Sequence, residues 1–183
     1  TLIAIMKLSK ILVLDVVTSA YIAVLRGTPI LLQLYFFWLI LPKVLPFKLS
    51  DTNSIIIALI INASSYVAEI IRAGIQAVDK GQVEAARSLG LTAAHTMKEI
   101  VLPQAVKNIL PALGNEYINM VKQTSLASVF FAPELMTSYK TVQSATFLAI
   151  PPLVIVGLIY LIVTAVLSKG LNLFERRLQR NEA

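Results

Sequence analysis

The sequence predicts an all-α, polytopic membrane protein, and three observations carry that prediction. Hydrophobic residues make up 57% of the 183 positions and charged residues only 14%, with a mean hydropathy of +0.77. Soluble domains run at about 45–50% apolar and about 25% charged. Apolar runs near the roughly 20 residues that a helix needs to cross a bilayer recur along the chain. The basic residues between those runs fall mainly on alternate loops. The length suits one domain. No cysteine is present, which removes a disulfide framework, a thiol nucleophile and any cysteine-based metal site. The net charge of +6 fits a basic membrane protein better than a nucleic-acid binder, because cytoplasmic loops collect Lys and Arg.

The elements follow in order. Thr1 to Met6 is apolar but too short to span, and it reads as the last part of a membrane helix whose beginning is absent. Residues 8–25 form a helix starting near the membrane surface. Arg26-Gly27-Thr28-Pro29 interrupts it, since proline lacks an amide hydrogen and glycine is permissive. With the apolar run Ile30 to Leu41, residues 15–41 are expected to cross as one long, kinked helix. Pro42 to Asp51 is a loop, and Asp51 or Thr52 caps the next helix. Residues 53–78 form the second complete span, ended by Lys80-Gly81. Residues 82–98 are a polar, helix-forming island. A third span runs from Pro103 to about Leu126, with Pro111 and Gly114 inside it as the hinge candidate. Residues 131–146 read as polar and irregular, 147–168 as the last span, and Lys169 to Arg180 as a basic, amphipathic tail.

Orientation follows from charge. With the 82–98 island in the cytoplasm, Lys7, Lys10, Lys80, Arg87, Lys98, Lys107, Lys169, Arg176, Arg177 and Arg180 share that side, against Lys43, Lys48 and Lys140 outside. Ten against three agrees with the positive-inside rule. Arg26, Arg72 and Lys122 fall within spans and do not enter the count.

Two spans carry polar stripes. Asn62, Ser65, Glu69, Arg72 and Gln76 recur at helical spacing and share a face. Asn115, Asn119 and Gln123 share a face of the next span, with Glu116 and Lys122 beside it. An ionised group at the bilayer centre costs at least about 2.5–3.5 kcal/mol, so these stripes face protein, water or each other, not lipid. Two roles compete. Interhelical hydrogen bonds of about 0.6 kcal/mol each can act as glue, and Glu69 with Arg72 reads best as a mutually neutralising ion pair. Thr28, Gln33, Asn62, Ser65, Tyr66, Asn119 and Gln123 are the candidates for lining a solute pathway. Their amides and hydroxyls can hold a carboxylate or ammonium group and release it. His95 stands alone and reads as a surface residue. Tyr35 and Trp38 suit the headgroup level. No dinucleotide or phosphate-binding loop and no Ser/His/Asp arrangement is visible, so energy must come from a partner or a gradient.

Specific motifs narrow the class. Glu84-Ala85-Ala86-Arg87-Ser88-Leu89-Gly90, followed by Ile100-Val101-Leu102-Pro103, resembles the EAA motif of the permeases of ABC importers. Leu25-Arg26-Gly27-Thr28-Pro29 with Gln33, and Tyr66-Val67-Ala68-Glu69-Ile70-Ile71-Arg72-Ala73-Gly74-Ile75, are similar to segments of the polar amino-acid permeases. So are Pro103-Gln104-Ala105, Leu110 to Glu116, and Lys122 followed by Thr124-Ser125-Leu126. The resemblance covers about residues 1–180. It implies the type I ABC importer permease fold, with a five-helix core of which most of the first helix is missing here. The domain assignment is then a single transmembrane domain over 1–183, with a coupling helix at about 82–98 and a basic tail at 169–183.

The resemblance also implies partners and a mechanism. A second permease subunit, identical or a sister, lines the pathway with this one. Two ATP-binding subunits sit below, and an extracytoplasmic binding protein delivers an amino acid. The chain binds no cofactor itself; ATP and Mg²⁺ belong to the partner ATPase. Glu84, Ala85, Ala86, Leu89 and Gly90 transmit the push, Gly90 allowing close backbone approach and a sharp turn. Relatives for basic amino acids carry an acidic residue where Gln123 stands, so a polar uncharged substrate such as glutamine is preferred. The competing classes are an ion- or proton-coupled secondary transporter using Glu69 and Arg72, and an intramembrane enzyme, for which the lone His95 supplies no catalytic set.

Overall fold

The computed structural model describes residues 1–9 and 11–180. Lys10, the side chains of residues 178–180 and the tail beyond them lie outside the described residues. Among the described residues every regular element is helical. Helix α1 (Leu2–Leu8) leads into α2 (Leu12–Gly27) and α3 (Ile30–Val44). The expected single kinked helix over 15–41 is instead two helices, bent by 109° at the break. Thr28 and Pro29 both adopt extended backbone, at φ −116 and −60. Proline drives its predecessor out of the helical region and offers no amide to continue the ladder. Two successive extended residues turn the chain further than a kink does.

Helix α4 (Asp51–Gln76) is the longest inner element. Its cap is Ser50, whose hydroxyl accepts from the Asn53 amide at 3.2 Å, not Asp51 or Thr52 as expected. Helix α5 (Lys80–Ser88) begins at Asp79, whose carboxylate accepts from the Gly81 and Gln82 amides. Thr92 caps the single turn α6 (Ala93–His95), which passes through a π-helical turn at Thr96–Val101 into α7 (Leu102–Gln123). The 82–98 island is therefore not one helix, and its second half is the foot of the helix that becomes α7. A 3₁₀ turn follows over Thr124–Phe130. Helix α8 (Leu135–Thr146) then occupies the stretch expected to be irregular. Glu134 caps it by accepting from the Met136 and Thr137 amides. Helix α9 (Ile150–Arg180) runs on well past the expected end at 168, so the basic tail continues the membrane helix.

By length and composition α4 and α9 can each cross a membrane, and the bent pair α2–α3 can make a third span. Helix α7 does not pass on composition: it carries Lys107, Glu116 and Lys122. It packs between α4 and α9 all the same. Both crossings use glycine. A Cβ on Gly74 would sit 2.3 Å from Ile109 Cγ1, and one on Gly114 would sit 2.2 Å from Leu171 Cδ1. Gly114 is thus a packing notch, and α7 runs as one continuous helix through Pro111. Leu34, Ile55, Ala58 and Phe130 build one core cluster. Tyr35 and Trp38 set their rings against Phe130 at 4.7 and 5.5 Å. Val78, Val101, Ala105 and Ile109 build a second cluster, with Val83 of α5 against it.

Candidate functional site

Three places hold the residues that the sequence singles out. The first is α5 and its C-terminal turn. Within Glu84–Gly90 only Ala86 is buried, so the helix is anchored through its small residue and through Val83. Glu84 and Ala85 are exposed, and Leu89 is 83% exposed. The helix ends in a Schellman arrangement: the Gly90 amide donates to Arg87 O at 3.0 Å and the Leu91 amide to Ala86 O at 3.1 Å. Gly90 supplies the left-handed residue this needs, at φ +87. Nothing lies within 4 Å of where its Cβ would be, so inside this chain its role is conformational rather than a close approach. Arg87 Nη1 donates to Leu91 O at 2.7 Å across the same turn. Leu89 is thus an apolar side chain held exposed at the tip of a capped, otherwise polar helix end.

The second place lies at the elbow between α2 and α3. Gln33 is 7% exposed and Asn62 is 3% exposed. Gln33 Nε2 donates to Leu25 O and Thr28 Oγ1, each at 2.8 Å. Asn62 Nδ2 donates to Gln33 Oε1 at 2.9 Å. Thr28 Oγ1 closes the turn on Val24 O at 2.8 Å, and Ser65, fully buried, donates to Asn62 O at 2.7 Å. The break leaves carbonyls at the end of α2 without helical partners, and these side chains satisfy them. Thr28, Gln33, Asn62 and Ser65 therefore form a hydrogen-bonded clasp inside the subunit, and Thr28 and Gln33 also line a cavity of about 250 Å³ with Leu32 and Phe36. Tyr66 differs: it is half-buried, with the Arg26 guanidinium 5.3 Å above its ring.

Two turns along α4, Glu69 pairs with Arg72 through both carboxylate oxygens, Nε donating at 2.9 Å and Nη2 donating to Oε1. Arg72 also donates to Gln76. Arg26 approaches the same carboxylate at 3.8 Å. The expected pair is thus a triad, and Arg26, set apart with the signature around Thr28, is its unforeseen member. Its signal was a basic residue inside an apolar span, where a carboxylate partner is to be sought.

The third place is α7. Asn108, Asn115, Asn119 and Lys122 are exposed and fall within one narrow sector of the helix. Asn115 donates back to Pro111 O at 3.1 Å. Gln123 is half-buried beside the sector. The two polar stripes have opposite fates: the upper part of the α4 stripe is sealed by Gln33, and the α7 stripe looks out of the subunit. Hydrocarbon cannot cover it, so it needs protein or water on its far side.

Comparison with known proteins agrees with this architecture. The family model for the binding-protein-dependent transport system inner membrane component matches residues 1–180. The arginine transport system permease protein ArtQ of Bacillus subtilis is 40% identical over 166 residues, covering 91% of this chain and 76% of its own length. The probable glutamine ABC transporter permease protein GlnM of the same organism is 38% identical, covering 98% of this chain and 82% of its own. A crystal structure of an amino acid ABC transporter with histidines is 48% identical, with a TM-score of 0.91 over 96% of this chain and 82% of that one. The MetNI methionine ABC transporter, at 16% identity and a TM-score of 0.76 over 97% of this chain and 82% of that one, shares the fold. With the type I importer permease fold, a rigid capped turn and a matched family over nearly all its length, the chain belongs to the binding-protein-dependent transport system inner membrane components, as a permease.

Proposed function

We propose that this chain is one permease subunit of an ATP-driven importer that carries polar amino acids into the cytoplasm by alternating access. The observation that carries the reading is the capped end of α5, with Leu89 and Glu84 exposed and Gly90 at φ +87. Such a tip suits a groove on an ATP-hydrolysing subunit, and two copies of that subunit would sit on the cytoplasmic face. The charge asymmetry of the loops supports the same orientation for α5 and the C-terminus. The outward polar stripe of α7 supports a second permease subunit, identical or related, facing it across a pathway. Thr28, Tyr66, Asn119 and Gln123 are the pathway candidates that remain accessible. An extracytoplasmic binding protein would load the opposite side.

The relatives named for glutamine and arginine support a polar amino acid as cargo. Neutral Gln123 favours an uncharged one such as glutamine. The mechanism needs only rigid-body motion: closure of the ATPase pair moves α5, α5 moves the subunit, and the α7 faces open to the other side. ATP with Mg²⁺ would be bound by the partner.

The test is purification of the whole transporter in mild detergent, wild type and Leu89→Asp. Co-elution of an ATPase subunit with the wild type and its loss from the variant is the expected result. Retention of the ATPase with normal ATP-driven uptake in Leu89→Asp overturns the docking role. Uptake by the permease without any ATPase moves the reading to a gradient-driven carrier.

A further inference from the structure

We propose that the pocket between α1, α2 and α4 holds the phosphate of an anionic phospholipid. The pocket, about 380 Å³ and open to the surroundings, is lined by Lys7, Ser19, Ile22, Ala23, Arg26, Glu69 and Arg72. Its charges do not cancel. Lys7 pairs with Asp15 at 2.7 Å and donates to Ser19, and Arg72 is committed to Glu69 and Gln76. Three cations against the carboxylates of Asp15 and Glu69 leave one positive charge. That charge belongs in effect to Arg26. Its side chain is 41% exposed and only 3.8 Å from a carboxylate already held by Arg72, and among the described residues it donates no hydrogen bond. A guanidinium with free N–H groups at a hydroxyl-bearing pocket matches a phosphate, which it can bind with two parallel bonds.

Depth selects a lipid over a free solute. The apolar stretch of α9 ends at Ser168-Lys169, and Leu171, the next turn, sits against Gly114 of α7. Ile109, five residues nearer the start of α7, sits against Gly74 of α4. Helices α4 and α7 run in opposite directions here, so five residues back along α4, about 7 Å, brings Glu69 level with Gly114. The triad therefore lies at the layer where α9 leaves the hydrocarbon, the layer of lipid headgroups. Beside the pocket sector on α2, Leu12 and Val16 are apolar and exposed. They offer acyl chains a track beside the pocket, which a small hydrophilic anion has no use for. Basic pockets between membrane helices bind lipid headgroups by this chemistry.

The test uses the full transporter in nanodiscs of equal phosphatidylcholine and phosphatidylglycerol, followed by native mass spectrometry of the lipids retained in detergent. Preferential retention of phosphatidylglycerol is expected. Arg26→Gln should lower it about fivefold, the effect of one basic residue at an anionic surface. Asp15→Asn removes one negative charge, leaves Lys7 without its carboxylate partner and should raise it, a gain that no folding defect imitates. Equal retention of the two lipids by the wild type, or phosphatidylglycerol retention that ignores both substitutions, overturns the proposal. So does displacement of the retained lipid by millimolar inorganic phosphate or amino acid, which would make the pocket a site for a small solute anion.

Discussion

Gly90 offers the sharpest separation of two reasons for a glycine at a coupling turn. The backbone there sits at φ +87, and a Cβ would meet nothing within 4 Å. Within the subunit, then, an added side chain costs backbone strain and no steric clash. For an alanine that strain is about 1 kcal/mol, the lower end of the left-handed penalty for L-residues. One kcal/mol changes the ratio of the closed Schellman turn to a frayed one about fivefold. Asparagine tolerates the left-handed region and should lose less; valine, β-branched, should lose more. The expected order of coupling is Gly, Asn, Ala, Val. Frayed turns release the Gly90 and Leu91 amide bonds to Arg87 and Ala86 and let the tip at Leu89 wander.

The assay is reconstitution of the transporter in liposomes with its binding protein, measuring amino acid taken up per ATP hydrolysed. Gly90→Asn should keep a ratio near wild type, Gly90→Ala should fall severalfold, and Gly90→Val further. Asparagine failing as badly as valine would refute the conformational account, because a bulk-sensitive contact with the ATPase subunit would then decide the outcome. Alanine behaving as wild type would refute it from the other side.

Other expectations follow from the packing and the clasp. Gly74→Ala drives a Cβ to 2.3 Å from Ile109 Cγ1, an overpacking worth about 1–3 kcal/mol; thermal unfolding should show a lowered midpoint, recovered when Ile109→Ala is added. Gln33→Ala and Asn62→Ala each remove one side of a 2.9 Å bond, and a double-mutant cycle of unfolding in detergent should give a coupling of about 0.6 kcal/mol, at most about 1.7. A coupling near zero would deny the clasp. Gln123→Glu should shift competition in uptake toward cationic amino acids, and an unchanged substrate panel counts against a pathway position for that residue.

Much of the fold was legible because membrane helices announce themselves by composition. The apolar runs marked α3, α4 and α9, and the Gly27-Thr28-Pro29 punctuation marked the break. The angle of that break was not legible: a proline states that the ladder ends, and the backbone of two residues sets a turn of 109°. Helix α8 was missed because its residues are polar and its cap is Glu134, which is outside the short side chains that usually signal a helix start. The spacing of Asn62, Ser65 and Glu69 correctly placed them on one face. It carried no information about what covers that face, and the cover proved to be Gln33, 29 residues away, over Asn62 and Arg26 beside Glu69. Arg26 was set aside for the same reason, since its carboxylate lies on another helix. Periodicity within one helix says which residues look the same way; only the crossing of two helices says what they see.

The clasp and the two glycine crossings together bear on how such a subunit moves. Gln33 and Asn62 lock the elbow of α2 and α3 to α4. Gly74 locks α4 to α7, and Gly114 locks α7 to α9. Val83 seats α5 in the cluster built by Val78, Val101, Ala105 and Ile109, so α5 is keyed to the α4–α7 crossing itself. Interiors packed at this closeness repack between discrete arrangements and do not flex continuously. On the importer reading, a displacement of Leu89 is therefore delivered to α4 and α7 as one body, and the polar face of α7 turns with it. A swivel at Pro111 would instead dissipate the push in the upper half of α7 alone. That alternative has a distinct signature: distances between spin labels on α5 and on the outer end of α7 within one subunit would change between the nucleotide-free and ATP-bound states. Rigid-body motion leaves those distances fixed and changes only the ones between the two subunits.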